Sequence, residues 1–582
     1  VSVLNDFTGG LNDTVSLDSL KPNELIKADN VLVFKSGGIE TRSGVSVLNE
    51  ESYDAEIDQD IMWLLSDGTY RHLVMSESFL HSVDDSDGTL TSKIELQSDV
   101  IGYVVYEDKL FFVDGDNYYV YGYFKYTSAS GTQTIAINDI VKNIASSGGG
   151  TAGHFYKAKA GHGSTALGTE DYSNATKWED VTDGSIPDDI RAVPADGKGT
   201  VSGNDLSKVK KCTILEFHPL SYRVFAAGNP DDPTAVYFSE INNQYAFKGS
   251  SVLYPTSAAG PIKCLQSFMS YMLVGYKREW MYWDGVKVGT DAEWRRVPIP
   301  SGCVNHWAKV LTPYSLTFWG NDGLYIVYPG ILIPDVTVVA TKELYTRIDE
   351  NKVEVAFKSM CNPDDVRLTY HDGNVYFAYG TVLGGRNNSV LVLNWDLKTF
   401  VMFTGWQVND WHLSDEGSLW FASKNYILKY DSATFNDIDV DSGEEKAIAV
   451  KAWTPPLKLG NITDSFIMKH LKNVYVAAKQ YEGDDASTLG VTITSDYTEA
   501  SVTTPVLKSF VWGLEYGLFW GFVDLVVLRV EYGRMGFRHA LRLESAAIDN
   551  HWFIYSLGFD FEKLDGTEAM VVRAAPTDWI TD

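Results

Sequence analysis

The chain has 582 residues, with 48 Lys and Arg against 77 Asp and Glu for a formal net charge of −29, yet 45% of it is hydrophobic and 13% aromatic. That apolar content can fill large cores, so the acidity belongs to a folded surface rather than a disordered tail, and the length predicts several domains or one large repeat domain with attachments. The charge excludes a protein that grips nucleic acid through its phosphates, which takes clustered Lys and Arg, and permits a surface that nucleic acid slides past.

Residues 1–55 read as an N-terminal arm or platform segment, with turns at Gly9-Gly10, Gly37-Gly38 and Gly44 and little helical pattern. A repeat follows: a strand-like run, a turn, then a second strand rich in Tyr, Trp and Val. Its copies begin at His72 (HLVMSESFLHSV), Lys109 (KLFFVDGDNYYVY), Arg223, Tyr271 (YMLVGYKREWMYWDG), Ser315 (SLTFWGNDGLYIVYPG), Asn374 and Ser418 (SLWFASKNYILKYD). Most copies stand about 40–50 residues apart, the span of one four-stranded blade of a β-propeller. The reading is therefore all-β, a propeller of six or seven blades over 56–124 and 201–441. A sandwich of many hairpins is the competing topology.

The long gap between the second and third copies holds residues 125–200, which change character and read as a small β domain inserted into a connection between blades, where exposed loops tolerate additions. Thr341 to Asn351 suggests a short helix on the rim. After Asp441 the repeat stops, and 442–582 alternates like sandwich strands with one buried face, a C-terminal β platform ending in a polar tail from Asp565. Within it, Phe510 to Val530 is the most apolar stretch. Glu515, Asp524 and Arg529 interrupt it, making it a poor bilayer helix. Gly513, Gly517 and Gly521 recur every four residues, and Trp512, Tyr516, Phe519, Trp520 and Phe522 mark a channel or interface loop at 510–530.

Chemistry is sparse. Cys212, Cys264, Cys303 and Cys361 are widely spaced with no CxxC pair, arguing against a disulfide framework or zinc site. Asp114-Gly115-Asp116-Asn117 lacks the further oxygens of a calcium loop and reads as a hairpin turn. His154 and His162 are the closest histidine pair. Asp114, Asp116, Asp284 and Asp322 are turn carboxylates, and the run Ser414 to Trp420 only approaches a sialidase-type turn. No nucleophile elbow, HExxH or phosphate loop occurs. The expectation is a non-enzyme with no cofactor and no metal, made in the cytoplasm, since VSVLNDFTGG carries no secretory leader.

The opening residues Phe7-Thr8-Gly9-Gly10-Leu11-Asn12, then Asn30, then Gly37-Gly38-Ile39-Glu40-Thr41-Arg42-Ser43-Gly44, resemble the start of tailed-bacteriophage tail nozzle proteins, the tail tubular protein B type among them. The resemblance continues at Arg223 to Pro233 with Val236 to Glu240, at Arg296 to Gly302, at Asn321 to Tyr325, and at Trp395 with Phe400. Each motif is short; their order along most of the chain outside the insert carries the likeness. It implies a virion structural protein: a homohexameric ring at the distal end of a short tail, conducting DNA without binding it specifically. Adaptor proteins would lie above it, with fibres or a needle or spike nearby. Arg42 is a candidate anchor between modules. The insert, with His154 to Ala158 and Asn174 to Val181, is similar to small carbohydrate-binding modules. That similarity makes Tyr156, Tyr172 and Trp178 candidate contacts to a host-surface glycan, with a core role for Trp178 as the other reading. A host-glycan adhesin and a glycan hydrolase are the competing functions. In a ring, the acidity predicts carboxylates concentrated on the channel wall.

Overall fold

In the computed structural model the described residues run from 2 to 564, apart from 181–189, 194–202, 284–292, 329–334, 339–344, 348–353, 357–362, 460–467, 480–486, 507–524 and scattered shorter gaps. They are almost entirely strand and turn, with two short 3-10 turns at Leu167–Thr169 and Val209–Lys211. Among them no helix is long and apolar enough to cross a membrane. Two compact units form: residues 57–321 with 325–337, and residues 1–56, 322–324 and 338–582.

The first of these units carries five consecutive four-stranded antiparallel blades of the propeller type. Blade one is Ile57–Leu64, Tyr70–Ser76, Phe79–Val83 and Leu90–Glu95. Blade two is Gly102–Tyr106, Lys109–Val113, Tyr118–Tyr121 and Ile190–Ala192; blade three is Ile214–His218, Arg223–Ala227, Val236–Phe238 and Val252–Leu253. Blade four is Ile262–Phe268, Tyr271–Tyr276, Trp280–Trp283 and Trp294–Val297; blade five is Lys309–Thr312, Ser315–Gly320, Gly323–Tyr328 and Asp335–Val338. The second strands are buried on both faces, as in the run from Lys109 to Val113 and the run from Arg223 to Ala227. A blade interior is covered by neighbouring blades, which is why these strands read as continuous apolar runs rather than alternations.

Two more blades lie in the other unit. Blade six is Arg367–His371, Asn374–Thr381, Gly385–Asn394 and Thr399–Thr404. Blade seven has only three strands of its own, Asp410–Leu413, Leu419–Ser423 and Tyr426–Asp431; its fourth is the N-terminal strand Gly44–Val47, paired Asp431 to Gly44 through Leu428 to Val47. In all seven blades the repeat copies of the sequence fall on strands two and three.

The platform is a sandwich in that same unit. One layer orders Leu525–Gly536, Lys469–Lys479, Phe553–Lys563, Ile39–Thr41 and Val31–Val33, with Ser2–Leu4 added along Phe553–Lys563. The other orders Val450–Trp453, His539–Ser545, Ser487–Ser495 and Thr498–Val506, and runs through Lys27–Asp29 into blade six. Val474, Val476, Val491, Ile493, Leu541, Leu543 and Leu557 fill one shared core. The N-terminal segment is thus woven into the platform rather than standing as an arm.

Two placements differ from the sequence reading. The insert enters inside blade two, because Ile190–Ala192 returns to pair with Tyr118–Tyr121 as its outer strand. A three-residue edge strand needs only local pairing, so the hairpin before it accepts a domain as readily as a connection between blades does. The stretch expected as a helix contains instead the strand Tyr345–Arg347, which forms a hairpin with Glu354–Ala356. Tyr345 and Thr346 on one strand and Val355 on the other suit a pleated pair.

Blade one buries an ionic group. The His72 ring sits between Asp60, 2.8 Å from Nε2, and Asp85, 2.6 Å from Nδ1, with Asp60 and His72 almost fully buried. Burial alone pushes the imidazole pKa down, but the two carboxylates outweigh it and raise it to about 9. Both ring nitrogens then donate. A folded-state value above the unfolded 6.5 means the stabilisation is complete below about pH 6.5 and is lost as pH rises through 9. Urea unfolding from pH 6 to 10 should show wild type losing its advantage over His72→Gln across that window, by on the order of 3 kcal/mol; a pH-independent difference would refute the charged assignment.

Candidate functional site

The opening motif converges on one buried side chain. Gly37 takes φ +87° and lies against the Asn5 carbonyl, a turn open to glycine alone, and Phe7 donates its N–H to Gly37 O at 2.9 Å. This turn sends Ile39–Thr41 along Phe553 and Ile554. Arg42 follows, with no exposed surface. Gly44 then packs its Cα directly on the Asn436 backbone, where any Cβ would collide, and this close approach brings the strand bearing Asp437 beside Arg42.

All five guanidinium N–H groups find acceptors. Nε donates to Asn30 Oδ1 at 2.9 Å, Nη1 to Asp437 Oδ1 at 2.8 Å and Ser43 O at 2.9 Å, and Nη2 to Asp437 Oδ2 at 2.5 Å and Thr404 O at 3.2 Å. The planar fork fits the carboxylate with two parallel bonds. The Trp406 and Phe403 rings flank the cation at 4.6 and 5.3 Å, and Trp406 Nε1 also donates to Asp437 at 3.0 Å. Asn30, held at φ +56°, accepts from Thr404 N and donates to Thr404 Oγ1 and Ala449 O. Arg42 therefore joins the N-terminal segment, blade six, and the strand Asn436–Ile438 that follows blade seven. Its partner was missed in sequence because the alternation Asp437, Asp439, Asp441 looks like an ordinary acidic turn. In the structure those carboxylates face Arg42, Lys446 and Lys424 respectively.

The other motifs are turn chemistry. Asn229 and Asp232 organise the turn between strands two and three of blade three: Asn229 Oδ1 accepts from Asp231 N at 2.9 Å, and Asp232 accepts from Tyr254 OH at 2.8 Å. Arg296 pairs with Glu279 across blade four at 2.9 Å, and Ser301 Oγ accepts the Asn321 N–H. Asp114 spends both oxygens on the backbone N–H groups of Asp116, Asn117 and Gln97, the arrangement of a hairpin turn. Asp284, Asp322, Asp415 and Glu416 lie outside the described residues.

Tyr156, Tyr172 and Trp178 come together, but as the core of the insert, at 3%, 2% and 1% exposure. Tyr156 and Tyr172 stack at 5.1 Å, and Tyr172 meets Trp178 at 5.2 Å. Their polar tips are also occupied internally: Tyr156 OH accepts from Thr151 N, Tyr172 OH donates to Leu167 O, and Trp178 Nε1 donates to Glu170. The assignment as glycan contacts is corrected to core, because a domain this small needs its three rings, beside Ile135, Val141 and Leu167, to exclude water. The sheet alternates: Val141 and Tyr156 face this core, while Ile140 and Phe155 join the core of blades one and two, docking the insert onto them. His154 bonds Asp180 at 2.7 Å, and His162 stacks on Trp178. Trp512, Tyr516, Phe519, Trp520 and Phe522 lie outside the described residues.

Sequence reasoning also passed over exposed apolar tips. Leu220 and Tyr222 at the first hairpin of blade three, Ile241 beyond its third strand and Met269 at the first hairpin of blade four are each more than half exposed. Asn242 N bonds Tyr222 O, and His218 faces Ser270 O, so these tips crowd one side of the unit. Tyr222 and Met269 occupy left-handed backbone at φ 50° and 55°, positions where bulky side chains are strained.

No protein-family model and no curated protein matches the chain. Solved structures similar to it include PorZ, a surface component of the type-IX secretion system of Porphyromonas gingivalis. That match has a TM-score of 0.34 at 10% identity and covers 74% of this chain and 44% of PorZ, so the chain spans less than half of PorZ's length. The Neurospora crassa Pan2 WD40 domain matches with TM-score 0.34 and 7% identity, over 69% of this chain and 98% of that one. The AfRom2 CNH domain matches with TM-score 0.34 and 8% identity, over 67% and 99%. Likeness this distant carries no functional argument.

Removing one partner of a buried ion pair strands the other, so Arg42→Met should cost about 3–5 kcal/mol in urea unfolding. Adding Asp437→Leu should recover part of that loss, and strict additivity would refute the coupling. Trp178→Ala should cost about 3–5 kcal/mol within the insert. Hydrogen exchange would read this as lost protection at Phe155–Ala158 with the second strand of blade one unchanged.

Proposed function

We propose that this chain is a virion structural protein, a tail nozzle subunit that assembles with copies of itself into a homohexameric ring and conducts DNA during ejection without gripping it. The observation that carries this reading is the convergence of the opening motif on Arg42. The residues through which the chain resembles nozzle proteins, Asn30, Gly37, Arg42 and Gly44, are the ones that tie the N-terminal strands to the platform and to blades six and seven. A subunit built to bear load in an assembly profits from having its N-terminal strands and Phe553–Lys563 locked into one sandwich.

The net charge of −29 accords with a wall that repels phosphate at close range, screened over about 10 Å at moderate salt. Apolar hairpin tips at Leu220, Tyr222, Ile241 and Met269 suit contact with a neighbouring tail protein, an adaptor or a fibre. The adhesin reading lost its main support when the insert's aromatic rings proved to be core. In this proposal the protein resides in the virion tail after synthesis in the host cytoplasm, and it is not an enzyme.

Negative-stain images and native mass of the purified chain, alone and on isolated tails, test the reading. A six-fold ring with an axial hole at the distal tail is expected. A monomer or trimer that binds host-surface glycans would favour an adhesin, sugar release from host envelopes would favour a hydrolase, and absence of the chain from purified virions would overturn the proposal.

A further inference from the structure

Cys264 and Cys303 are distant in sequence, and the fold brings them together. Cys264 lies on the first strand of blade four opposite Gly275, next to a bulge between Ile262 and Cys264. Its sulfur fills the space left by the missing Gly275 side chain, since a Cβ there would collide with Sγ. Cys303 lies on the segment leading from blade four to blade five, and its N–H bonds Tyr276 O, one residue along from Gly275, at 3.0 Å. Gly302 permits this approach, packing on the Tyr276 and Lys277 backbone. The two thiols therefore meet beside the same pair of residues, both with no exposed surface. The Cys303 thiol, a weak donor, points toward Asn305 O at 3.0 Å and Ala308 O at 3.8 Å, and shares a side-chain hydrogen bond with Cys264.

We propose that Cys264 and Cys303 form a modification site, a dithiol that a low-molecular-weight disulfide converts to an intrachain cystine stapling the first strand of blade four to the segment entering blade five. The Cys303 thiolate attacks the small disulfide, giving a mixed disulfide and releasing one small thiolate. The Cys264 thiolate then attacks the Cys303 sulfur and releases the second. Two electrons pass from the protein to the small disulfide, and the two protein protons end on the two released thiols. Burial and the neighbouring thiol hold the Cys264 thiol well above its ordinary range, so exchange proceeds slowly and through opening of the segment. The bond restrains the unfolded chain by closing the loop between the two positions.

The full chain is refolded from urea in a buffer of reduced and oxidised glutathione, where every thiol starts equally accessible, and then mapped by non-reducing peptide mass spectrometry. The expected product joins the Cys264 and Cys303 peptides, lowers the denatured thiol count from four to two, and melts several degrees higher than the reduced protein. Cys264→Ser and Cys303→Ser should each keep three free thiols under the same treatment. A count that stays at four in wild type, or a cross-link that maps to Cys212 or Cys361, overturns the proposal.

Discussion

The guanidinium of Arg42 is the constraint on which its unit depends. A buried cation is unfavourable unless every donor is met, and here five N–H groups are met from four residues, two of them, Thr404 and Asp437, 362 and 395 positions away. An apolar side chain of the same volume would tolerate small shifts between the N-terminal strands, blade six and the Asp437 strand. A planar fork that must satisfy Asn30, Ser43, Thr404 and Asp437 together tolerates none. The net contribution of such a pair to stability is modest beside a hydrophobic replacement, and its effect falls on register instead. Two aromatic faces complete the enclosure, so water cannot substitute for a displaced acceptor.

Register of this kind explains why the N-terminal strands can be so short. Gly44–Val47, Ile39–Thr41 and Val31–Val33 have three or four residues each, too few to hold a place in a sheet by their own ladder bonds. They are fixed at both ends of the Arg42 cluster, and their apolar residues Val31, Val33, Ile39 and Val45 then add to the shared core. The insert follows the same logic on a smaller scale. Its sheet sends alternate residues into its own aromatic cluster and into blades one and two, so it is held by packing rather than by its two chain connections.

Propeller blades were legible because their second and third strands are long, apolar and joined by tight turns. Fourth strands were not: Val252–Leu253 has two residues, and the one that completes blade seven comes from the other end of the chain. The turns at Glu77-Ser78 and Glu107-Asp108 use left-handed backbone with none of the Asn-Gly signature that marks such hairpins, so only the flanking apolar strands announced them. At the candidate site, Asn30 and Arg42 stood out in sequence, but Asp437 did not, since no local pattern encodes a partner 395 residues away. The aromatic residues of the insert show a further limit. Composition predicts that rings cluster, while which face of the cluster meets solvent is decided by how few other large side chains the domain has.

Pairing the first strands with Phe553–Lys563 also sets an order of events during synthesis. Thr41 accepts a hydrogen bond from Trp552, 511 residues later. At roughly 5–20 residues per second a ribosome needs about 25 to 100 s to cover that distance. Throughout this interval Ile39–Thr41 has only Val31–Val33 to pair with, and Gly44–Val47 waits for Tyr426–Asp431, while blades one to five, made of sequential hairpins, can close as they emerge. The nascent chain therefore carries its opening motif with one strand edge unpaired until Phe553–Lys563 has been made. Docking of that edge completes the platform after the seventh blade has its own strands in place.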